Sequence, residues 1–128
     1  MAGSDVRELA ERTEQLALVH LTRNGLRLLE RNFRCRFGEI DLIMLDRAAI
    51  VFVEVRFRKR SHFATAAASV DLRKQGKLCR AAGDYLRRHP RFQNTPVRFD
   101  VIAFDGPTHQ DFTVQWLRDA FRPTGRES

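Results

Sequence analysis

Three carboxylates interrupt an otherwise apolar stretch of the chain, GEIDLIMLDRAAIVFVEVR at residues 38–56. They belong to Glu39, Asp41 and Glu54, and the guanidinium of Arg56 ends the stretch. Branched apolar residues on both sides of a polar turn predict two antiparallel strands. Because strand side chains alternate between faces, Glu39 and Asp41 share a face of the first strand, and Glu54 and Arg56 share a face of the second. The sequence thus predicts ionic side chains at one end of a buried hairpin.

The turn decides which of these side chains oppose each other. A hairpin folded about residues 47–48 places Asp41 opposite Glu54, with about 5 Å between the Cβ atoms. Two carboxylates at that distance repel each other, and a divalent cation such as Mg²⁺ or Mn²⁺ removes this cost because it takes both as oxygen ligands. The alternative is a solvated sheet face with a weak ion pair between Glu39 and Arg56, which leaves the Asp41–Glu54 pair unexplained.

The bulk composition indicates one folded domain with a polyanionic partner. The chain has 128 residues, 43% of them hydrophobic, and 23 Lys and Arg against 16 Asp and Glu give a net charge of +7. Such a charge favours nucleic acid as the partner, with an acidic membrane surface second and a merely basic surface as the plain alternative.

Cysteine and histidine spacing argues against a zinc site. Cys35 and Cys79 lie far apart and outside any CxxC motif, and the four histidines, including His109, have no partner at ligand spacing. Both cysteines are interpreted as small, partly buried residues of a reduced cytosolic protein, and the charged N-terminus lacks the apolar core of a signal peptide. The sequence therefore predicts a cytoplasmic location. The longest apolar run, AAIVFV, is too short to span a membrane.

The elements that position these residues follow the predicted order α-β-β-β-α-β-β. Periodicity and turn residues place them at 5–23, 26–34, 38–45, 49–57, 71–89, 96–104 and 112–121. This order predicts an α/β fold, in which helices pack against a mixed central sheet. Residues 1–122 are predicted to form a single domain, and 123–128 a flexible tail.

Two finer predictions concern which residues face the core. In the first hairpin strand, Ile40, Leu42 and Met44 are predicted to share the apolar face. In the second helix, Asp71 is the predicted N-cap, and the inner stripe is predicted to consist of Leu72, Cys79, Ala82 and Leu86.

Four segments carry a resemblance to a known family. RNFRCRFGEIDLI, VFVEVR, RKQ…RAA..YL and VRFDVIA resemble the YraN family of small bacterial proteins, and the likeness covers nearly the whole chain. That family has a restriction-endonuclease-like fold, is similar to archaeal Holliday-junction resolvases and carries the PD-(D/E)xK nuclease motif. The resemblance implies a restriction-endonuclease-like domain with Mg²⁺-dependent or Mn²⁺-dependent endodeoxyribonuclease activity.

The resemblance also implies roles for individual residues. Asp41 and Glu54 take the positions of the two metal-binding acids, and the backbone carbonyl of Val55 completes the metal site. Glu39 stands where it could support the metal shell. Glu14 matches the helix glutamate that approaches the metal-bound water in resolvase-like members; the alternative is a surface glutamate of an amphipathic helix.

Arg56 departs from the family pattern, which has a lysine at that position. Arginine keeps its charge and therefore cannot act as a general base, although it can stabilise developing negative charge. Lys74 or Lys77 of the second helix could reach the site instead. The functional alternatives are therefore an active nuclease and a catalytically inactive nucleic-acid-binding module of the same fold, with a purely structural interaction protein third.

A basic run leads out of the candidate site, and the following helix adds further cations. The predicted nucleic-acid-binding residues are Arg58, Lys59, Arg60, Arg73, Lys74, Gln75 and Lys77. The alternative is an ordinary solvated charge run. The resemblance implies DNA as the partner, branched or single-stranded, and a homodimer, because a four-way junction offers symmetric cleavage points.

Overall fold

The computed structural model describes residues 2–59 and 67–123, without the side chains of 2–5 and 67. The helices and strands in these residues are α1 (Ala2–Arg23), β1 (Arg27–Cys35), β2 (Gly38–Asp46), β3 (Ala49–Arg58), α2 (Leu72–Arg88), β4 (Val97–Asp105) and β5 (Thr113–Phe121). Short 3₁₀ helices lie at Ala67–Ser69 and Pro90–Phe92. The predicted element order is confirmed. The predicted domain limits stay a prediction, and 124–128 of the predicted tail lie outside the described residues.

The strands form one mixed sheet in the order β1-β2-β3-β4-β5. Neighbouring strands are antiparallel except for β3 and β4, which are parallel. A parallel pair needs a long crossover connection, and α2 lies within the connection between these two strands. The predicted mixed sheet is therefore confirmed, with β3 as its central strand.

Each face of the sheet is covered by one helix. On the α2 side, the core is mainly aliphatic and contains an aromatic group of Tyr85, Phe33, Phe52 and Phe99. On the α1 side, the core consists of Ala17, Leu21, Leu26, Leu42, Met44, Val51, Val53, Ile102 and Phe104. Fully burying one of the larger side chains contributes about 1.5–3 kcal/mol, so these two clusters supply the main stabilising free energy. Among the helices in the described part of the chain, none has both the length and the apolar character to cross a bilayer.

The inner stripe of α2 includes the predicted Ala82 but otherwise differs from the predicted one. Its buried residues are Leu78, Ala81, Ala82 and Tyr85, whereas Leu72 is 77% exposed. The predicted Cys79 and Leu86 are partly buried at the edge of the core. The reason is the large ring of Tyr85, which packs edge-on against Phe33 and Phe52 and so determines which side of the helix faces the sheet. The predicted N-cap is confirmed, because Asp71 accepts a hydrogen bond from the Lys74 backbone N–H.

A buried carboxylate fastens β5 to the sheet. Asp100 in β4 has no exposed surface and accepts hydrogen bonds from the Arg98 guanidinium, from Trp116 Nε1 and from the Asp119 backbone N–H. Arg98 also donates to Asp46 at the β2–β3 turn, at 2.8 Å. Asp119 has a positive φ of 53° at the point where the β4–β5 register shifts. Asp100 therefore stabilises an irregularity that the strand ladder alone leaves unpaired.

Replacing Asp100 with alanine removes the acceptor for these three donors. We expect the free energy of unfolding to fall by about 3 kcal/mol, because buried donors, one of them a guanidinium, lose their partner. Urea denaturation followed by circular dichroism measures the change. Asp111→Asn, at an exposed position before β5, is the control and should change stability by less than about 0.5 kcal/mol. A loss below about 1 kcal/mol for Asp100→Ala would contradict a stabilising network.

Candidate functional site

The β2–β3 hairpin positions the predicted acid pair. The predicted register is confirmed from the turn as far as Leu42, which pairs with Val53. One residue further, a side chain replaces the backbone as the hydrogen-bond acceptor. Oδ2 of Asp41 accepts a hydrogen bond of 2.9 Å from the Val55 backbone N–H. The carboxylate of Asp41 therefore lies against the peptide that joins Glu54 to Val55.

The predicted strict alternation of β2 is wrong next to Asp41. Ile40 packs in the core on the α2 side, whereas Leu42 and Met44 pack on the α1 side. On the neighbouring strand, Asn32 has a left-handed φ of 52°, which reverses the direction of the side chains that follow it. Asp41 lies where β2 changes faces, and its side chain lines a cavity beneath α1.

This cavity has a volume of about 260 Å³, room for several waters at roughly 30 Å³ each. Its lining includes Asp41 and Val55 from the hairpin and Glu14 from α1. The Glu14 side chain is only 14% exposed. This exposure does not agree with the alternative interpretation of Glu14 as a surface glutamate of an amphipathic helix. Thr13, Phe57 and His109 form the rest of its wall, together with Leu9 and Ala10.

The carboxylates at this end of the sheet interact strongly. The pKa of Asp41 is raised to about 8, first by burial and then by the charge of Glu54, with smaller contributions from Glu14 and Glu39. The hydrogen bond from Val55 N–H opposes this rise. Burial also raises the pKa of Glu14, against the effects of a hydrogen bond from Asn32 and the charge of Arg31.

Ion pairs compensate three of these four acids. Glu14 lies 4.0 Å from Arg31, and Glu39 lies 3.8 Å from Arg34 rather than beside Arg56. The Glu54 side chain, 6% exposed, lies 3.3 Å from Arg56 Nη1 and 3.6 Å from Lys74 Nζ. Within the described residues, Asp41 has no such cationic partner, so its charge is compensated least.

Of the two lysines that could reach the site, Lys74 and Lys77, Lys74 lies beside Glu54. Lys74 reaches Glu54, whereas Lys77 is exposed and lies near Gly38. A Cβ atom at position 38 would be 3.7 Å from the Cβ of Lys77. Arg56 donates from Nη2 to the carbonyl of Ser69, so its guanidinium is held between that carbonyl and Glu54. An arginine on the strand and a lysine on the helix therefore share one carboxylate.

The donors at this end of the sheet are of the type that a hard divalent cation takes. Asp41, Glu54 and the Val55 carbonyl supply oxygen atoms, which Mg²⁺ and Mn²⁺ prefer, and of the two carboxylates Asp41 alone lines the cavity. In residues 2–59 and 67–123, no three His, Cys, Asp or Glu side chains converge on a common metal position. Mg²⁺ usually takes one or two carboxylates and keeps several waters, so a set of two carboxylates and a carbonyl suits it better than zinc.

The predicted nucleic-acid-binding residues separate into distinct groups. Lys59, Arg73 and Lys77 are exposed, and Lys74 is at Glu54. Arg58 binds Asp105 through two hydrogen bonds of 2.6 and 3.0 Å and is 12% exposed, which connects β3 to β4. The Gln75 side chain donates to the Val70 carbonyl. Arg60 lies outside the described residues.

Sequence reasoning did not identify Thr13, Asn32 or His109 as parts of this site. Asn32 had a usable signal, because asparagine is depleted in strands and tolerates a left-handed φ. His109 had none: it follows β4 in a loop, and no motif spacing connects it to Asp41. Only the folded chain brings the two into one cavity.

The raised pKa of Asp41 predicts a specific pH dependence. Between the ordinary pKa of 3.8 and the folded value of about 8, the folded state holds a proton that the unfolded state has lost. Asp41 therefore lowers stability as the pH rises through this window, by at most about 1.4 kcal/mol per pH unit. Asp41→Asn should remove that fall and should be more stable than the wild type at pH 8, with a smaller difference at pH 5.

Urea denaturation at both pH values measures this effect, and NMR titration of the Asp41 carboxyl carbon measures the pKa directly. The exposed Asp111→Asn is the matched control, with parallel curves expected. Titration of Asp41 near pH 4 would contradict the electrostatic description of the site.

Comparison with known proteins shows the family to which this sequence belongs. The model of the uncharacterised protein family UPF0102 matches residues 13–104. A UPF0102 protein of Stutzerimonas stutzeri is 52% identical over 108 residues, which cover 84% of this chain and 89% of that protein. One from Alkalilimnicola ehrlichii is 51% identical over 118 residues (92% and 90%), and one from Nitrosococcus oceani is 48% identical over 116 residues (91% and 93%). The chain therefore belongs to the uncharacterised protein family UPF0102.

Proposed function

We propose that this protein is a Mg²⁺-dependent or Mn²⁺-dependent endodeoxyribonuclease that hydrolyses phosphodiesters in DNA. The observation that carries the proposal is Asp41, held at the Glu54–Val55 peptide with a pKa raised to about 8 and without a cationic partner among the described residues. A buried acid of this kind is compensated by either a proton or a metal ion. The resemblance to the PD-(D/E)xK nucleases adds support, because the same two acids occupy the metal positions of that motif.

The mechanism assigns each nearby residue a task. A divalent ion held by Asp41, Glu54 and the Val55 carbonyl would polarise the phosphate and make water more acidic. Arg56 has one guanidinium nitrogen on Ser69 and one on Glu54, and its fixed orientation lets its outward N–H groups stabilise negative charge on the phosphate. Lys74 places a second cation at Glu54, where the motif lysine would act.

DNA binding rests on exposed side chains rather than on the start of α2. The carboxylate of Asp71 accepts from Lys74 N–H, and its carbonyl accepts from Gln75 N–H, so these backbone donors are already used. Arg73 and Lys77 remain exposed on the outer face of α2. Together with Lys59 at the end of β3, they offer a basic surface next to the acids for a phosphate backbone.

A catalytically inactive DNA-binding module is the second candidate, and one observation favours it. Arg56 and Lys74 both pair with Glu54 and so neutralise it without a metal ion. Arginine cannot give up its proton, so Arg56 cannot replace a lysine that acts as a base. In this alternative, the basic surface keeps its role and cleavage is absent.

The proposal extends to the substrate and the assembly. Branched DNA, such as a four-way junction, or single-stranded DNA is the proposed substrate, and a homodimer would match the symmetry of a junction. Both follow from the resemblance to the resolvases. We also propose a cytoplasmic location, where the thiols of Cys35 and Cys79 would stay reduced.

Cleavage of a four-way junction and of a single-stranded oligonucleotide tests the proposal. Wild-type protein should cut at least one of them with MgCl₂ or MnCl₂ and should not with EDTA. Asp41→Asn should slow cleavage by about 100-fold or more, because removing a metal ligand costs several kcal/mol of transition-state stabilisation. Gel electrophoresis measures the rates, and isothermal titration with Mn²⁺ measures metal binding.

The control is Asp111→Asn, which should cleave at the wild-type rate. Undiminished cleavage by Asp41→Asn that has lost metal binding would contradict the assignment of Asp41. Failure of the wild type to cleave either substrate would contradict the nuclease proposal. If Arg56→Lys then gained cleavage, the arginine would be shown to have disabled a nuclease, in favour of the second candidate.

The salt dependence of DNA binding tests the basic surface. Replacing Arg73 and Lys77 with alanine should make the negative slope of log K against log salt less steep by about 1.8 on duplex DNA. Each lost phosphate contact removes about 0.9 from its magnitude. The matched control is the double alanine variant of Arg87 and Arg88, exposed arginines at the other end of α2 that pair with Asp84. Fluorescence polarisation between 50 and 200 mM salt measures both. Equal slopes in the two variants would contradict a specific role for Arg73 and Lys77.

A further inference from the structure

His109 enters the candidate site from outside the motif. It lies in the loop between β4 and β5, yet it lines the same cavity as Asp41 and Glu14. Its ring stacks on Phe57, with 3.9 Å between centroids and 23° between planes. Its Nε2 lies 2.7 Å from Thr13 Oγ1 on α1. Two elements therefore fix the position of the imidazole.

The hydrogen bonds of Thr13 determine the tautomer of His109. The single hydroxyl proton of Thr13 is donated to the Leu9 carbonyl at 2.8 Å, so Thr13 Oγ1 has only lone pairs to offer the imidazole. His109 Nε2 must therefore carry a proton and donate it. In the neutral ring, Nδ1 then holds the lone pair, and no hydrogen bond to Nδ1 occurs within the described residues.

The imidazole and the acids Asp41 and Glu14 line the same cavity. His109 stacks on Phe57, and Val55 lies two residues earlier on the same side of β3, which is about 7 Å along a strand. Asp41 is held at the Val55 N–H. The cavity that both side chains line, about 260 Å³, has room for waters between them.

We propose that His109 accepts the proton of the water that attacks the phosphodiester. This inference rests on the proposed nuclease function and supplies the base that Arg56 cannot be. The water oxygen forms a new bond to phosphorus while its proton moves to Nδ1 of His109. The bond from phosphorus to the ester oxygen breaks, and that oxygen leaves with the electron pair and takes a proton from solvent. The imidazolium returns its proton to solvent, so water and phosphodiester become phosphomonoester and alcohol.

The surroundings of His109 suit a base. Burial, and after it the charge of Arg12 on α1, lowers the pKa of His109. The charged groups that line the cavity within the described residues are Glu14 from α1 and Asp41 from β2, while β3 contributes the uncharged Val55 and Phe57. The imidazole therefore holds a free lone pair at neutral pH.

The variant His109→Gln separates catalysis from support. Glutamine keeps an N–H donor for Thr13 but has no basic nitrogen, so DNA affinity should stay unchanged and stability should lose only the stacking on Phe57. Cleavage of the better of the two DNA substrates should slow by about 100-fold or more, the usual contribution of a general base. The control is His20→Gln on α1, whose ring lies edge-on to Trp116 and outside the cavity, and which should cleave normally. In His109→Ala, added imidazole should restore part of the rate, a response that a merely structural residue would not give.

A readout independent of cleavage is the ¹⁵N NMR spectrum of the wild-type imidazole, which should show protonated Nε2 and bare Nδ1 at neutral pH. The opposite tautomer would overturn the proposal, even if a variant failed to fold. Normal cleavage by His109→Gln, or no rescue by imidazole, would overturn it while leaving the nuclease function in place. Absence of cleavage by the wild type would overturn both.

Discussion

The hydrogen bond from the Val55 N–H to the carboxylate of Asp41 is the contact on which the site depends. Backbone pairing between β2 and β3 reaches Leu42 and Val53, and beyond it the side chain of Asp41 supplies the acceptor. A carboxylate fixed in this way cannot move away from Glu54, even though the two acids repel. Backbone hydrogen bonding thus holds an electrostatically unfavourable pair in place, as functional sites often do.

The acids around this contact differ in how far nearby cations compensate their charge. Glu14, Glu39 and Glu54 each have an arginine or lysine within 4.0 Å, whereas in the described part of the chain Asp41 has only a backbone N–H. If every carboxylate of the cluster were paired with an arginine or a lysine, divalent ions would have little effect on its stability. Because the charge of Asp41 is left over, the cluster would gain stability by taking a proton or, as proposed, a cation.

The sequence predicted the elements and the hairpin register well, because both follow from local signals. Arg47 adopts a left-handed φ of 58° in the turn, and the pairing counted outward from that turn is observed as far as Leu42 and Val53. On α2, Ala82 was predicted correctly, but Leu72 was placed inside although it is exposed, because periodicity alone does not weigh the large ring of Tyr85 that turns the other side of the helix to the sheet. The change of faces at Ile40 was missed because its cause, Asn32, lies on the neighbouring strand. His109 could not be found, because its relation to Asp41 exists only in three dimensions.

The position of Lys74 changes the meaning of the arginine in the motif. Arg56 is held by the carbonyl of Ser69, just before α2, and Lys74 extends from the first turn of α2, where Asp71 caps its backbone N–H. The same short segment, 69–74, therefore positions both cations at Glu54. A lysine can lose its proton when desolvated and an arginine cannot, so the two cations are not equivalent. In the proposed nuclease, Arg56 on the strand would keep a permanent charge beside the phosphate and could not take the proton of the attacking water. The group proposed for that task, His109, lies outside the motif and lines the same cavity as Asp41.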